Sequence, residues 1–161
     1  KKLVGREDGV LIKISKAGAI TSVVRSSVPK GFRNWSSATT SLFLTGSVKS
    51  GAITESAITK FTNSFAPTWT TRISSTGSTL AASGPNNSFY VALEPTSAVK
   101  GLSNFKVIKG QNLILQFDSK GAISSAFTTA ELSQARAMTY TAEGGLYILT
   151  DNAIFKVGAT K

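Results

Sequence analysis

Cysteine and histidine are both absent from the 161 residues of this chain. Without cysteine, neither a disulfide nor a thiolate metal site can form. Without histidine, the chain lacks the commonest general base, the Ser-His-Asp and Cys-His catalytic arrangements and every imidazole metal ligand. The sequence therefore predicts neither a bound metal nor a cofactor.

Long hydrophobic runs are missing as well. No window approaches the roughly 20 uninterrupted apolar residues that a transmembrane helix needs. The N-terminal segment from Lys1 to Arg6 lacks the apolar stretch of a signal peptide. A content of 41% hydrophobic and 16% charged residues is typical of a folded globular domain. We therefore expect one domain over residues 1–161, without a membrane span.

Acidic residues are few, eight against eighteen Lys and Arg, and the formal net charge is +10. Such an excess attracts anionic partners, of which acidic glycans and cell-wall polymers are favoured here over nucleic acid. One local cluster combines basic and aromatic side chains, and the long segment between Glu94 and Gln111 is an insertion of the kind that carries specificity in repeat proteins. The predicted ligand-binding residues are Arg25, Lys30, Arg33, Trp35, Lys100, Lys106 and Lys109.

The carboxylates are scattered along the chain, and the sequence assigns a catalytic role to none of them. Asp118 and Glu143 occupy predicted turns, where a carboxylate ordinarily accepts hydrogen bonds from the turn backbone. Glu94 and Asp151 follow equivalent predicted strands, so they are the pair that a shared acid-base site would use. No catalytic residue is predicted.

Alternating apolar residues and turn chemistry predict β-hairpins through most of the chain. The segment Gly9 to Val24 has two β-rich runs around a turn that ends in Gly18. The segment Leu113 to Ile123 repeats this design, with Gly121 at the corresponding place. A third copy has Phe65 where the glycine stood, so we expect its turn to differ in detail. Residues 128–139 are predicted to form a loop with one helical turn at most.

A repeated pair of motifs organises the chain. An aromatic-aliphatic run is followed by an apolar run that contains Lys or Gln, and the Lys or Gln positions are 40 to 56 residues apart. This period is typical of four-stranded β-propeller blades. We expect the repeated lysines to be solvated at blade edges, where they oppose aggregation. The aromatic markers are Phe43, Tyr90 and Tyr147, and the Lys or Gln positions are Lys13, Lys60, Gln116 and Lys156.

Two families of bacterial propeller blades resemble these repeats. Residues 41–47, 57–61 and 69–73 are similar to SBBP repeats, and residues 135–157 are similar to NHL-type blades. The resemblance implies an all-β propeller, with a partial blade at residues 9–27 and three full blades at 33–73, 78–129 and 134–161. An outer hairpin followed by three blades predicts part of a larger propeller. The rest of that propeller, another chain or a second copy would complete the ring.

Function is less constrained than fold. Abundant Ser, Thr, Ala and Gly with sparse charge are typical of bacterial surface and secreted β-proteins, which predicts an extracellular or cell-surface location. The favoured hypothesis is a non-catalytic propeller segment that acts in binding or assembly toward an anionic partner. The alternative is part of a propeller lyase or hydrolase whose catalytic groups lie partly outside this chain. A basic nucleic-acid module is the third reading.

Overall fold

A computed structural model describes residues 3–103 and 105–157 and is built from antiparallel β-strands with two short 3-10 turns, which confirms the all-β class. No helix in these ranges is long and apolar enough to cross a bilayer. The 3-10 turns are Pro85–Asn87 and Ala130–Leu132. The strands are β1 Gly9–Ile14, β2 Ile20–Ser26, β3 Phe32–Arg33, β4 Ser37–Ala38, β5 Phe43–Ser50, β6 Ile53–Phe61, β7 Pro67–Ser83, β8 Phe89–Pro95, β9 Leu113–Phe117, β10 Ile123–Phe127, β11 Ala137–Thr141, β12 Gly145–Leu149 and β13 Ile154–Val157.

The strands form three sheets in chain order. β1 and β2 make a two-stranded hairpin, and β11, β12 and β13 make a three-stranded meander. Between them lies an eight-stranded sheet with the order β10-β9-β8-β7-β6-β5-β3, in which β4 also pairs with β5. Over the described ranges none of these sheets closes on itself. Residues 158–161 of the last predicted repeat, and Asn104 in the one before it, lie outside the described residues.

The longest strand, β7, belongs to two parts of the central sheet. Its first half pairs with β6 up to Ser74, and its second half pairs with β8 from Ser75 onward. The register shifts between Ser75 and Thr79, and Gly77 there has φ +98°. A left-handed residue within a strand is a bulge that bends the strand, and glycine adopts it without steric cost. The bend at Gly77 therefore divides the central sheet into a first half, β3 to β7, and a second half, β7 to β10.

The sequence repeat corresponds to direct cross-strand pairs. In each of three places an aromatic marker on one strand lies opposite the Lys or Gln of the next strand. Residues that face each other in an antiparallel pair lie on the same side of the sheet. The aromatic residue and the Lys or Gln of each pair therefore lie on the same side of their repeat. The pairs are Phe43 with Lys60, Tyr90 with Gln116 and Tyr147 with Lys156.

Three hairpin turns share one hydrogen-bond pattern. The first turn residue donates its N–H to the carbonyl four residues on and accepts from the N–H three residues on. Its side chain also accepts a hydrogen bond from the N–H four residues on, through Ser15, Thr62 or Asp118. The expectation that the Phe65 turn differs is wrong, because Phe65 adopts φ +62° and so takes the conformation of Gly18 and Gly121. Phe65 thus carries left-handed strain that the two glycines avoid.

Aromatic side chains fill the core between the two halves of the central sheet. Phe89 stacks on Phe43 at a centroid distance of 3.8 Å and on Phe117 at 5.0 Å. Trp69 lies 6.0 Å from Phe89 and closes the cluster. Fully burying each such side chain contributes about 2 to 3 kcal/mol. These contacts hold the two halves face to face.

A second apolar cluster joins the central sheet to the three-stranded meander. Ala92 and Ile114 of the central sheet pack with Leu146 and Ile148 of β12. The predicted loop with a single helical turn is confirmed for residues 128–136, whereas residues 137–139 already belong to β11. Leu132, from the 3-10 turn, belongs to the same cluster, so the turn has a packing role. The chain is therefore a series of sheets stacked face to face.

The expectation that the repeated lysines are solvated is wrong for Lys60. Its Nζ lies 4.0 Å from the centroid of the Phe43 ring and donates a hydrogen bond to the carbonyl of Ser41. Burial lowers the pKa of Lys60. Lys60 is therefore half-buried against the Phe43 ring, a contact that the repeat spacing does not reveal.

Candidate ligand-binding cavity

A cavity of about 410 Å³ separates the first hairpin from the first half of the central sheet. Leu11 and Val24, which are cross-strand partners, form its wall on the hairpin side. The opposite wall comes from β5, β6 and β7. The lining residues of the central sheet are Arg33, Val48, Ala57, Thr59, Phe61, Pro67, Thr70 and Arg72, and the remaining ones are Arg25 and Ser26 of β2 and Trp35.

Arg33 is the most deeply placed cation of this cavity, with 4% of its surface exposed. The short strand β3 pairs Arg33 with Val48 and so directs it under the hairpin. Its Nε donates to Ser26 Oγ at 3.3 Å, and its Nη1 donates to the carbonyls of Asn34 at 2.6 Å and Ser47 at 3.2 Å. Nη2 makes no hydrogen bond to another described residue. The guanidinium is therefore fixed on one side and keeps donors for a ligand on the other.

Trp35 holds this arginine in place. The Arg33 Cζ lies 3.7 Å from the centroid of the indole ring. Phe61 meets the same ring edge-on at a centroid distance of 5.5 Å, and Gly9 leaves no room for a β-carbon, which would lie 2.8 Å from Trp35 Nε1. A desolvated cation–π contact of this kind contributes up to about 2 kcal/mol. Trp35 is therefore a support for Arg33 rather than an open stacking surface.

Two further arginines border the cavity. Arg25 Nη1 lies 3.4 Å from Asp8 Oδ2, and Arg72 Nη1 lies 3.5 Å from Glu55 Oε2. Neither carboxylate lines the cavity, and among the described lining residues none is acidic. The three guanidinium groups therefore give the cavity a positive potential that the two neighbouring carboxylates offset from outside.

The ionisation of Arg33 reflects this environment. Burial, followed by the charge of Arg72, lowers the pKa of Arg33 to about 10. Arg33 is thus protonated at neutral pH at an electrostatic cost, and an anion beside it would remove part of that cost. The shift marks Arg33 as the cation with most to gain from a negatively charged ligand.

Asp8 keeps its charge beside Arg25. Desolvation alone would raise its pKa, but hydrogen bonds from the backbone of Val4 and Gly5 and from the Ser27 side chain, together with the charge of Arg25, lower it overall. The donors Val4 N and Gly5 N lie 3.2 and 3.0 Å from the carboxylate oxygens. Asp8 therefore tethers the chain before β1 to the arginine that borders the cavity.

The predicted ligand-binding residues separate into two groups. Arg25, Arg33 and Trp35 meet at the cavity, whereas Lys30 is exposed in a tight turn with φ +58° and does not line it. The lysines of the insertion do not line it either. Lys100 borders a different cavity of about 550 Å³, and Lys106 and Lys109 are exposed. Sequence reasoning missed Arg72, because only the register of β6 and β7 brings it to this face.

The carboxylates considered for catalysis have other contacts. Glu94 Oε1 accepts a hydrogen bond from Gly110 N at 2.9 Å, and Asp151 is bound by Arg136 at 2.6 and 3.1 Å. Glu94 belongs to β8 of the central sheet, whereas Asp151 lies in the loop between β12 and β13 of the meander. Asp118 accepts hydrogen bonds from the backbone of its turn, as predicted. In the described part of the chain no group of three or more Asp or Glu residues could hold a metal ion.

Comparisons with known proteins add no family. Scans of the chain against protein-family models and against curated proteins found no match. The resemblance to SBBP and NHL-type blades therefore stays a prediction that rests on the quoted segments.

Proposed function

We propose that this chain is a non-catalytic segment of a bacterial extracellular β-propeller that binds an anionic ligand in the arginine cavity. The observation that carries the proposal is the meeting of Arg25, Arg33 and Arg72 around one cavity whose described lining contains no acidic residue. Acidic glycans and cell-wall polymers present carboxylate or phosphate groups on a larger body. Bidentate guanidinium contacts suit both groups.

The strand connections support the propeller part of the proposal. In a propeller the outer strand of one blade leads directly into the inner strand of the next, and β7 makes such a connection at Gly77. The inner strands then lie side by side, as Ser37 of β4 and Ala81 of β7 do through a hydrogen bond of 3.0 Å. A cavity of about 280 Å³ is lined by Ser36, Thr79 and Ala135, which come from three consecutive repeats. This convergence is expected at a central channel.

The composition of the cavity favours binding over catalysis. The polar side-chain groups of its lining are guanidinium groups, the indole N–H of Trp35 and the hydroxyls of Ser26, Thr59 and Thr70, none of which is an efficient general base at neutral pH. The apolar walls would cover the uncharged part of a ligand. An acidic group at Arg33 and an apolar or sugar surface against Leu11 and Phe61 fit this arrangement.

Titration calorimetry with galacturonate oligosaccharides tests the proposal. We expect the wild-type protein to bind them and to ignore neutral galactose oligosaccharides of the same length. R33Q and R72Q should each weaken binding at least tenfold, because each removes a guanidinium from the cavity. The double variant K106Q/K109Q removes two charges outside the cavity and is the matched control.

Two results would contradict the proposal. Equal weakening by the cavity variants and by K106Q/K109Q would reduce the interaction to general charge attraction, as would binding that disappears at moderate salt in all variants alike. Absence of binding by galacturonate, phosphate and sulfate probes to folded wild-type protein would reject the cavity as an anion site.

A further inference from the structure

One face of the first hairpin is not covered by any other part of the chain that the structure describes. Ile12 lies opposite Val23 and Ile14 lies opposite Ile20, so these four apolar side chains share a side. They are 50 to 63% exposed. The other side of the hairpin, with Leu11 and Val24, faces the arginine cavity. The exposed apolar face is therefore separate from the candidate ligand site.

The repeat identifies what this face is built to contact. The turns at Ser15 and Asp118 have the same hydrogen bonds, so each residue of the β1-β2 hairpin has an equivalent in the β9-β10 hairpin. The equivalents of the four exposed residues all belong to, or pack against, the aromatic core cluster. Leu115 and Phe117 are wholly buried there. The equivalents of Ile12, Ile14, Ile20 and Val23 are Leu115, Phe117, Ile123 and Ala126.

The three-stranded meander, which is the last sheet, has a second exposed face that complements the first. Tyr147 and Lys156 are cross-strand partners, as are Leu149 and Ile154, and all four lie on the side turned away from the central sheet. Ile154 is 71% exposed. A cavity of about 310 Å³ is lined on this side by Ala137, Tyr147, Leu149 and Ile154 among others. This face too lacks a covering layer among the described residues.

Its equivalents are again buried. Phe43 corresponds to Tyr147 and Ile58 corresponds to Ile154, through the repeat pairs Phe43 with Lys60 and Tyr147 with Lys156. Phe43 stacks on Phe89 in the core between the halves of the central sheet, and Ile58 is wholly buried in the same cluster. The last sheet thus has the Phe43 half of this internal interface, and the first hairpin has the Phe117 half.

We propose that a second copy of this chain docks head to tail, with the last sheet of one copy packed against the first hairpin of the other. The chain carries both complementary halves of an interface that it already forms internally. Counting the hairpin, the two halves of the central sheet and the meander, two copies supply eight stacked units, within the four to eight blades of propellers. Two such heterologous contacts would close a ring with two-fold symmetry.

The contact is independent of the arginine cavity, so a failure of anion binding would leave it standing, and the reverse also holds. The position of Lys156 provides a second way to detect the contact. Its Nζ lies 5.9 Å from the Tyr147 ring centroid, at the position that Lys60 occupies over Phe43. In the docked pair the second copy covers Tyr147, as Phe89 of the second half of the central sheet covers Phe43, and it lies beside Lys156.

Sedimentation equilibrium of the full chain tests the docking. We expect twice the chain mass of 16.9 kDa for the wild type. I12D on the hairpin face and I154D on the last sheet should each give monomers. An equimolar mixture of the two should regain a dimer. The I154D protein keeps an unchanged hairpin and the I12D protein keeps an unchanged last sheet, so these two faces can still form one contact. I53D changes an exposed apolar residue outside both faces and should stay dimeric.

Any outcome that differs from these expectations contradicts the proposal. A wild-type monomer at the highest attainable concentration would mean that sheets from a different chain or a longer polypeptide cover these faces. A dimer that survives I154D but not I12D would be an isologous hairpin contact instead. Circular dichroism checks that the variants fold, and I12T and I154T replace any that do not. Acetylation of Lys156 in the wild type, slowed relative to the I12D protein, is the second measurement, and equal rates would contradict the contact.

Discussion

Gly121 lies directly against the indole ring of Trp69, so closely that a β-carbon on Gly121 would be 2.8 Å from Cε2 of the ring. The glycine belongs to the β9-β10 turn, and the tryptophan belongs to β7 on the other side of the aromatic core. Gly18 occupies the same position of the β1-β2 turn, where a β-carbon would meet nothing within 4 Å. The two glycines share a backbone conformation and differ in what covers them.

This difference predicts unequal effects of the same substitution. G18A and G121A both place a β-carbon at φ +81° and +90°, which costs about 1 kcal/mol of unfolding free energy. G121A must also displace Trp69 from its stack, which adds about 1 to 3 kcal/mol. Urea denaturation measures both variants. If G18A and G121A have the same free energy of unfolding, the packing of Trp69 on the turn is refuted.

The strained Phe65 predicts a reversal of the usual order of alanine and glycine. F65A and F65G both lose the contacts of a half-buried ring, but only F65G also relieves the left-handed conformation. We expect F65G to be more stable than F65A by about 1 kcal/mol. The neighbour Ala66 does not have positive φ, so A66G should be destabilising in the same thermal unfolding assay. A more stable F65A would contradict the shared turn geometry.

The contacts of Lys60 predict that this charged residue contributes to the free energy of unfolding. K60A removes both the stem over Phe43 and the ammonium group that binds the Ser41 carbonyl, and should cost about 1 to 2 kcal/mol. K60M keeps the stem and should cost less. Lys49 is exposed on the same sheet, and K49A should change the free energy of unfolding by under about 0.5 kcal/mol. Indistinguishable values for K60A and K49A in chemical denaturation would show that Lys60 is solvated after all.

The lowered pKa of Arg33 predicts a pH limit for anion binding. Below pH 10 the guanidinium is protonated, and the contribution of Arg33 to anion affinity should not change with pH. As pH rises through about 10 the guanidinium loses its proton, and affinity should fall by an amount that approaches tenfold per pH unit. R33Q carries the same lysines and lacks this step, so the difference between the two titrations isolates Arg33. Calorimetry from pH 8 to 11 is the measurement, and parallel curves would count against it.

The lowered pKa of Arg33 also predicts how the stability of the ligand-free protein changes with pH. A cation whose pKa is lowered in the folded state binds fewer protons than in the unfolded state above pH 10. The stability of the wild type relative to R33Q should therefore rise with pH in that range and stay level below it. Thermal unfolding of both proteins across pH 10 checks this, and a relative fall above pH 10 would have the wrong sign.

Local patterns predicted the hairpins, because turn residues such as Asp118 and Gly121 specify geometry within a few positions. The continuity of β7 was harder to foresee. The polar stretch around Gly77 is typical of a connection between repeats, and whether the strand runs through it depends on the hydrogen bonds to β6 and β8. The contact of Lys60 with the Phe43 ring likewise depends on the pairing of β5 with β6.

The candidate site was predictable only where its members are neighbours in the chain. Arg33 and Trp35 are two residues apart, and their joint presence with Arg25 was visible as a basic-aromatic cluster. Arg72 reaches the cavity from β7, almost forty positions later in the sequence. Its neighbour in the register is Ala57 of β6, so the strand pairing rather than a local sequence cluster brings Arg72 to the cavity. The roles of the two aromatic neighbours, Trp35 as support and Phe61 as wall, also required the tertiary packing.

The strand β7 has a consequence for the way the molecule comes apart. Since one uninterrupted strand is hydrogen-bonded to both halves of the central sheet, neither half can detach by opening a linker. The strands from β3 to β10 should therefore exchange their amide protons as one cooperative unit. The outer hairpin and the terminal meander, which share no backbone ladder with that unit, are free to open at lower energy and leave the centre intact.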